Sequence, residues 1–144
     1  MSNLFLQISM NSIITEGTWK AIIPIFAAVL FLQAGLDKVF NYAGNAAYMK
    51  SIFEKTFLNS VSPILMVLIT VLEVAAGGVS AFGSFCQIRC GGGCNMGAYG
   101  LLLSAICVLC LFAGARIAKD YATSTNLTVY FIFCLLGLYI LQIH

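Results

Sequence analysis

Four long apolar runs separated by short polar clusters set the pattern of the chain. The runs fall at about 21–40 ("AIIPIFAAVLFLQAGLDKVF"), 63–82 ("PILMVLITVLEVAAGGVSAF"), 96–116 and 127–143. Each is close to the roughly 20 residues a helix needs to cross a hydrocarbon core about 30 Å thick. Pro24 and Pro63 stand near the start of the first two runs, where a missing N–H costs least. Strand-type alternation is absent, and helices satisfy their own backbone groups in lipid. The pattern predicts an all-α polytopic membrane protein, a four-transmembrane-helix bundle. Residues 1–19 are expected to form an N-terminal tail and 20–144 a single transmembrane domain.

Composition moves this expectation away from any soluble class. Of 144 residues, 61% are hydrophobic and 8% charged, with a mean hydropathy of +1.00, far from the soluble average of roughly half apolar and a quarter charged. A net charge of +2 gives no footprint for nucleic acid, so the bilayer is the expected partner. The opening "MSNLFLQISMNSIITEGTWK" lacks a basic leading region, a sustained apolar run and a small-residue cleavage site, so it reads as a retained tail, either an interfacial amphipathic segment or a loose end.

The basic residues divide unevenly between the two sides of such a bundle. Lys38, Lys50, Lys55, Arg116 and Lys119 fall on one side, and Lys20 and Arg89 on the other. Cationic flanks stay cytoplasmic, so both termini and the 83–95 loop are predicted to be periplasmic.

Ionisable groups within membrane helices are costly and mark candidate sites. Glu73 falls ten residues into the second run, roughly 15 Å from its start and near mid-bilayer. There it must be protonated, paired or turned to a polar cavity. Lys38 and Arg116 are the expected partners, with Gln33 an alternative hydrogen-bond donor. Asp37 and Lys38 close the first helix, and Arg116, Lys119, Asp120 and Tyr121 close the third at the same membrane face. On a continued helix Arg116 and Asp120, four apart, would face the same way. The plainer reading is that these charges are interfacial anchors that snorkel.

The stretch "CQIRCGGGC" carries Cys86, Cys90 and Cys94 at four-residue intervals. A disulfide or reactive thiol, a metal site and a glycine-rich connector are the open readings. A metal would need a fourth ligand, and the single histidine is the terminal His144, so no metal is assigned. Cys107 and Cys110 ("CVLC") and Cys134 fall within apolar helices, where free cysteine acts as a small hydrophobe. One histidine also excludes bis-histidine haem, and no flavin or dinucleotide motif occurs.

Three stretches carry a family resemblance: "FLQAGLDKVFNYAGNAAYMKSIFEKT", "VLEVAAGGVSAFG" and "ARIAKDYATSTNLTVYFIFCLLGLYIL". Together they resemble the DoxX-like small bacterial membrane proteins over about 20–143. The resemblance implies a four-helix bundle in the cell inner membrane and an association with redox chemistry, and its pattern falls on Gly35, Lys38, Asn41, Glu73, Gly77, Arg116, Lys119, Asp120 and Tyr121. "CQIRCGGGC" departs from the family pattern. The expected function is a redox-associated accessory subunit that binds a quinone or similar small molecule near Glu73, Lys38, Arg116 and Asp120. The alternative is a non-catalytic scaffold or small-solute module within a larger complex. Either role implies other membrane or redox subunits as partners and leaves room for oligomerisation. No covalently bound cofactor is expected.

Overall fold

The computed structural model describes residues 16–90 and 94–142. Five α-helices follow in order: α1 Glu16–Phe40, α2 Tyr42–Phe53, α3 Ser62–Arg89, α4 Met96–Ile117 and α5 Tyr121–Gln142, with a 3₁₀ turn at Phe57–Val61 before α3. Four of them, α1, α3, α4 and α5, are long and apolar enough to cross a membrane. The chain is therefore an all-α four-helix membrane bundle, and no strand occurs among the described residues. Residues 1–15, which hold most of the expected tail, together with Ile143 and His144, lie outside the described residues.

The bundle is organised around α3. Its most extensive contacts are with α1 and then α4, while α5 packs on α4 and returns to touch α1. Phe26 of α1 meets Phe133 of α5 edge to face, 4.7 Å between ring centroids, which closes the ring of helices. Buried positions on α3 alternate by four and three residues: Ser62, Met66, Ile69, Glu73, Ala76, Ser80, Gly83 and Gln87. On α1 the matching face runs through Ala21, Pro24, Ala28, Phe31, Gly35 and the half-buried Lys38. A 3.5-residue period keeps one stripe facing the partner helix along its whole length, as in left-handed bundles.

What fills these stripes inverts the soluble pattern. Small and polar side chains share the inward face with a few large ones (Phe31, Met66, Ile69 and Leu101), while Val29, Val71, Phe82, Phe85, Leu109 and Leu135 face out. Lipid tails are as apolar as leucine, so helices gain from close approach rather than from hiding oily groups. The closest approach is between α3 and α4: a β-carbon at Gly83 would lie 2.5 Å from the Gly97 nitrogen, and one at Gly100 would lie 2.5 Å from Ser80 Oγ.

Four boundaries differ from the sequence expectation. Helix α5 begins at Tyr121, ahead of the expected 127, because the Asp120 carboxylate caps it there. The other three differ for packing reasons. First, α3 continues through Gly83, Ser84 and Gln87 to Arg89, so the expected 83–95 loop shrinks to the segment after Cys90. These residues read as a connector because they are small or polar, yet all three are buried against the bundle. Gln87 Nε2 donates to the Cys94 carbonyl at 2.9 Å and so ties Cys94 to the last turns of α3. Second, α1 already includes Glu16, the first described residue, which places Pro24 inside the helix, where it packs near Gly97, instead of in the opening turn. Third, α2 occupies a region that reads only as a connector in the sequence. It is joined to α1 at Asn41, with Phe53 buried and Phe53 Cζ close to Gly114 of α4.

The α3–α4 crossing makes a paired prediction. Gly83→Ala must push backbone from backbone and should lower the detergent melting temperature sharply. Gly78 has open space within 4 Å of the position its β-carbon would take. It should accept alanine with no loss, because alanine is the better helix former by up to about 1 kcal/mol. Equal melting temperatures for the two variants would contradict the crossing.

Candidate functional site

The interior of the bundle holds one ion pair among the described residues. Lys38 Nζ reaches Glu73 Oε1 at 2.9 Å and Oε2 at 2.8 Å, and lies 3.4 Å from the Ala34 carbonyl. Glu73 is 2% exposed and Lys38 19%. Their meeting follows from where α1 and α3 cross. Gly35, one turn before Lys38, sits against Glu73 and Val74, where a β-carbon would lie 2.7 Å from Val74 Cγ2. Gly77, one turn after Glu73, sits against Leu32, 2.7 Å from its nitrogen by the same measure. The two glycines draw the backbones together, and the lysine stem spans what remains.

Two cysteines share the buried interior of the bundle. Cys107 of α4 and Cys134 of α5 are fully buried, and Cys107 lies within electrostatic reach of Glu73, Lys38 and Cys134. Cys110, three residues on, is exposed. Both Glu73 oxygens are taken by a single cation, so the carboxylate is neutralised by pairing. A bidentate ammonium contact of this kind is a point where a proton can be held or exchanged.

The remaining candidates are placed elsewhere. Gln33 is exposed, away from Glu73. Asp37 belongs to the α1–α2 joint: Asn45 Nδ2 donates to its Oδ2 at 3.1 Å, and the Asn41 amide donates to its carbonyl at 2.8 Å. Arg116, Lys119, Asp120 and Tyr121 form the α4–α5 joint. Because α4 ends at Ile117, Arg116 and Asp120 do not share a helix face. The Asp120 amide donates to the Ala115 carbonyl (2.9 Å) and the Lys119 amide to the Arg116 carbonyl (3.2 Å). These two bonds close a Schellman turn with Lys119 at its left-handed position, φ 59°. Asp120 then caps α5, its carboxylate accepting from the Thr123 hydroxyl (2.6 Å) and amide (3.1 Å). The Arg116 guanidinium lies 5.0 Å from the Tyr121 ring centroid.

The cysteines of "CQIRCGGGC" gather at the far end of α3. Cys86 and Cys94 are half-buried and interact with one another, while Cys90 is exposed at the helix end, and all are free thiols. Among the described residues no group of three or more His, Cys, Asp or Glu side chains is arranged to hold a metal ion.

Several buried polar groups escape a reading of the sequence alone. Ser80, Ser84 and Gln87 on α3, Ser104 on α4 and Ser124 on α5 are all interior. Ser84 and Ser104 donate to the carbonyls of Ser80 and Gly100, each four residues back. Ser80 Oγ and Gln87 Oε1 are buried without a hydrogen-bond partner. On α3, the signal that could have found them is their heptad register with Glu73. No protein-family model, curated protein or solved structure matches the chain.

The pair and the joint are each open to test. Lys38→Met leaves a buried carboxylate without its cation and should destabilise by about 3 kcal/mol, whereas Lys38→Met with Glu73→Leu should recover most of that loss. A double-mutant cycle of detergent unfolding measures both, and additive losses would refute the pairing. At the α4–α5 joint, Lys119→Gly should stabilise by about 1 kcal/mol by relieving the left-handed backbone. The Thr123 hydroxyl and amide hold the Asp120 carboxyl below the ordinary aspartate range. The cap therefore contributes at neutral pH and is lost as the pH falls below about 4. Melting of wild type should drop over that range relative to Asp120→Ala, which lacks the cap throughout.

Proposed function

We propose that the chain is a DoxX-like protein of the bacterial inner membrane, an accessory subunit of a redox complex that takes a quinone or similar small molecule beside Lys38 and Glu73. The observation that carries this reading is the bidentate Lys38–Glu73 contact inside the bundle. Quinone reduction consumes two electrons and two protons. The Lys38 ammonium can stabilise the developing oxygen charge and donate one proton to it, and Glu73, once protonated from solvent, can donate the second. The electrons come from a partner subunit. The site is narrower than the sequence pattern implies, because Arg116 and Asp120 are engaged in the α4–α5 joint.

An even number of candidate spans supports a topology in which the outer ends of α1 and α5 share one side. The lysines and arginine at 38, 50, 55, 116 and 119 favour the other side as cytoplasmic. The termini and the Cys86–Cys94 end are then periplasmic.

A second reading, a non-catalytic scaffold, is favoured by the closure of the pair: Glu73 is almost fully buried and both its oxygens are occupied. Glu73→Gln separates the two. In reconstituted protein with unchanged helical content, it should weaken binding of a short-chain quinone analogue at least tenfold while co-purifying subunits stay the same. Unchanged quinone binding with loss of those subunits would overturn the redox reading in favour of the scaffold.

A further inference from the structure

At the membrane face where α2 and α4 end, a cleft of about 480 Å³ opens between the two. Ser51, Ile52, Glu54, Lys55, Thr56 and Phe57 line one wall, and Ile117, Ala118 and Lys119 the other. Ile117 is the last residue of the α4 span, and the ends of spanning helices are where hydrocarbon gives way to headgroups. Ile52, Phe57 and Ile117 make its wall apolar, while Lys55 and Lys119 supply two cations and Glu54 one anion.

The polar groups of this cleft are only partly committed. Ser51 and Thr56 give their hydroxyl protons to the carbonyls of Tyr48 (2.7 Å) and Phe53 (2.9 Å), so the side-chain donors available to an occupant are the two ammonium groups. Although Glu54 shares the cleft with both lysines, it pairs with neither: the one ion pair among the described residues is Lys38–Glu73. Opposite charges are thus held apart around an apolar wall, an arrangement that suits an occupant bearing both signs and a hydrocarbon tail.

A second, independent observation bears on Lys119. It occupies the left-handed position of the Schellman turn, φ 59°, where glycine is the ordinary residue. A strained backbone kept by a long cationic side chain argues that the side chain is wanted there.

We propose that this cleft is a phospholipid site that takes phosphatidylethanolamine, with Lys55 and Lys119 on the phosphodiester and Glu54 on the headgroup ammonium. Basic pockets between helices at the cytoplasmic membrane surface recognise headgroups in this way. The carboxylate adds a preference for a headgroup that can donate hydrogen bonds. A choline headgroup carries the same phosphate and the same charge but has no N–H to offer Glu54.

The test uses the full chain in nanodiscs of equimolar phosphatidylethanolamine and phosphatidylcholine, with native mass spectrometry of the lipids that stay bound on release. Wild type should retain phosphatidylethanolamine at least fivefold over phosphatidylcholine. Lys119→Gly, which relaxes the turn and keeps the fold, should cut total bound lipid at least fivefold, as should Lys55→Gln. Glu54→Gln should abolish the preference while leaving total bound lipid near the wild-type level. Lys50→Ala, a cation on α2 outside the cleft, should change neither. Equal retention of the two lipids by wild type would overturn the assignment. So would a Lys50→Ala loss as large as that of Lys119→Gly, which would reduce the effect to general surface charge. The quinone reading can fail without affecting any of these outcomes, because Lys38 and Glu73 do not line the cleft.

Discussion

A carboxylate placed in the middle of a hydrocarbon-spanning bundle must find a counter-charge, and much of this architecture follows from how Glu73 finds one. Its partner, Lys38, sits on a different helix and 35 residues away in sequence. Bringing them into contact requires α1 and α3 to approach closely, which Gly35 and Gly77 permit on either side of the pair. The alternative, an unpaired charge in a low-dielectric interior, would cost several kcal/mol or force the group neutral. The same contact that answers this electrostatic demand also fixes the register of the two helices, since a slip of one residue would carry Lys38 off the shared face.

The small-residue stripe extends the same logic along α3. Gly83 and Ser80 meet Gly97 and Gly100 of α4, so the helix that carries the acid is gripped from two sides by backbone contact. Many large side chains, Phe82, Phe85 and Val71 among them, are turned outward, while Met66, Ile69 and Leu101 remain inside. Polar atoms in the stripe largely return their protons to their own helix, as Ser84 and Ser104 do. Those that do not, Ser80 Oγ and Gln87 Oε1, lie on the line that runs from the ion pair toward the cysteine end.

Charged residues at the two joints of the bundle do different work. Asp37, Asn41 and Asn45 shape the α1–α2 joint, and Arg116, Lys119, Asp120 and Tyr121 shape the α4–α5 joint. Their shared membrane face suggested that the second group and Glu73 formed one site. The reason they do not is local: α4 stops at Ile117, the chain turns through a left-handed Lys119, and the carboxylate of Asp120 is used to start α5. The lysine left over by this turn faces a cleft shared with Glu54 and Lys55.

The four spanning helices were legible in the sequence because a run of about 20 apolar residues has few other uses, and Glu73 stood out because a lone acid in such a run is expensive. What the chain pattern could not decide was direction. In helices that are apolar all round, hydrophobicity does not say which face is inside, so the choice of Lys38 over Arg116 or Gln33 as partner waited on the crossing of α1 and α3. The same ambiguity hid the last turns of α3, whose Gly83, Ser84 and Gln87 resemble a loop until they are seen packed inside the bundle. It hid α2 as well, whose Tyr42–Phe53 is too short and too mixed to read as a span and is held by the packing of Phe53. Composition and run length determined that this is a helical membrane protein. Only the tertiary structure decided which polar residues meet, because in lipid that is settled by how closely backbones approach, a property of pairs of helices and not of any one.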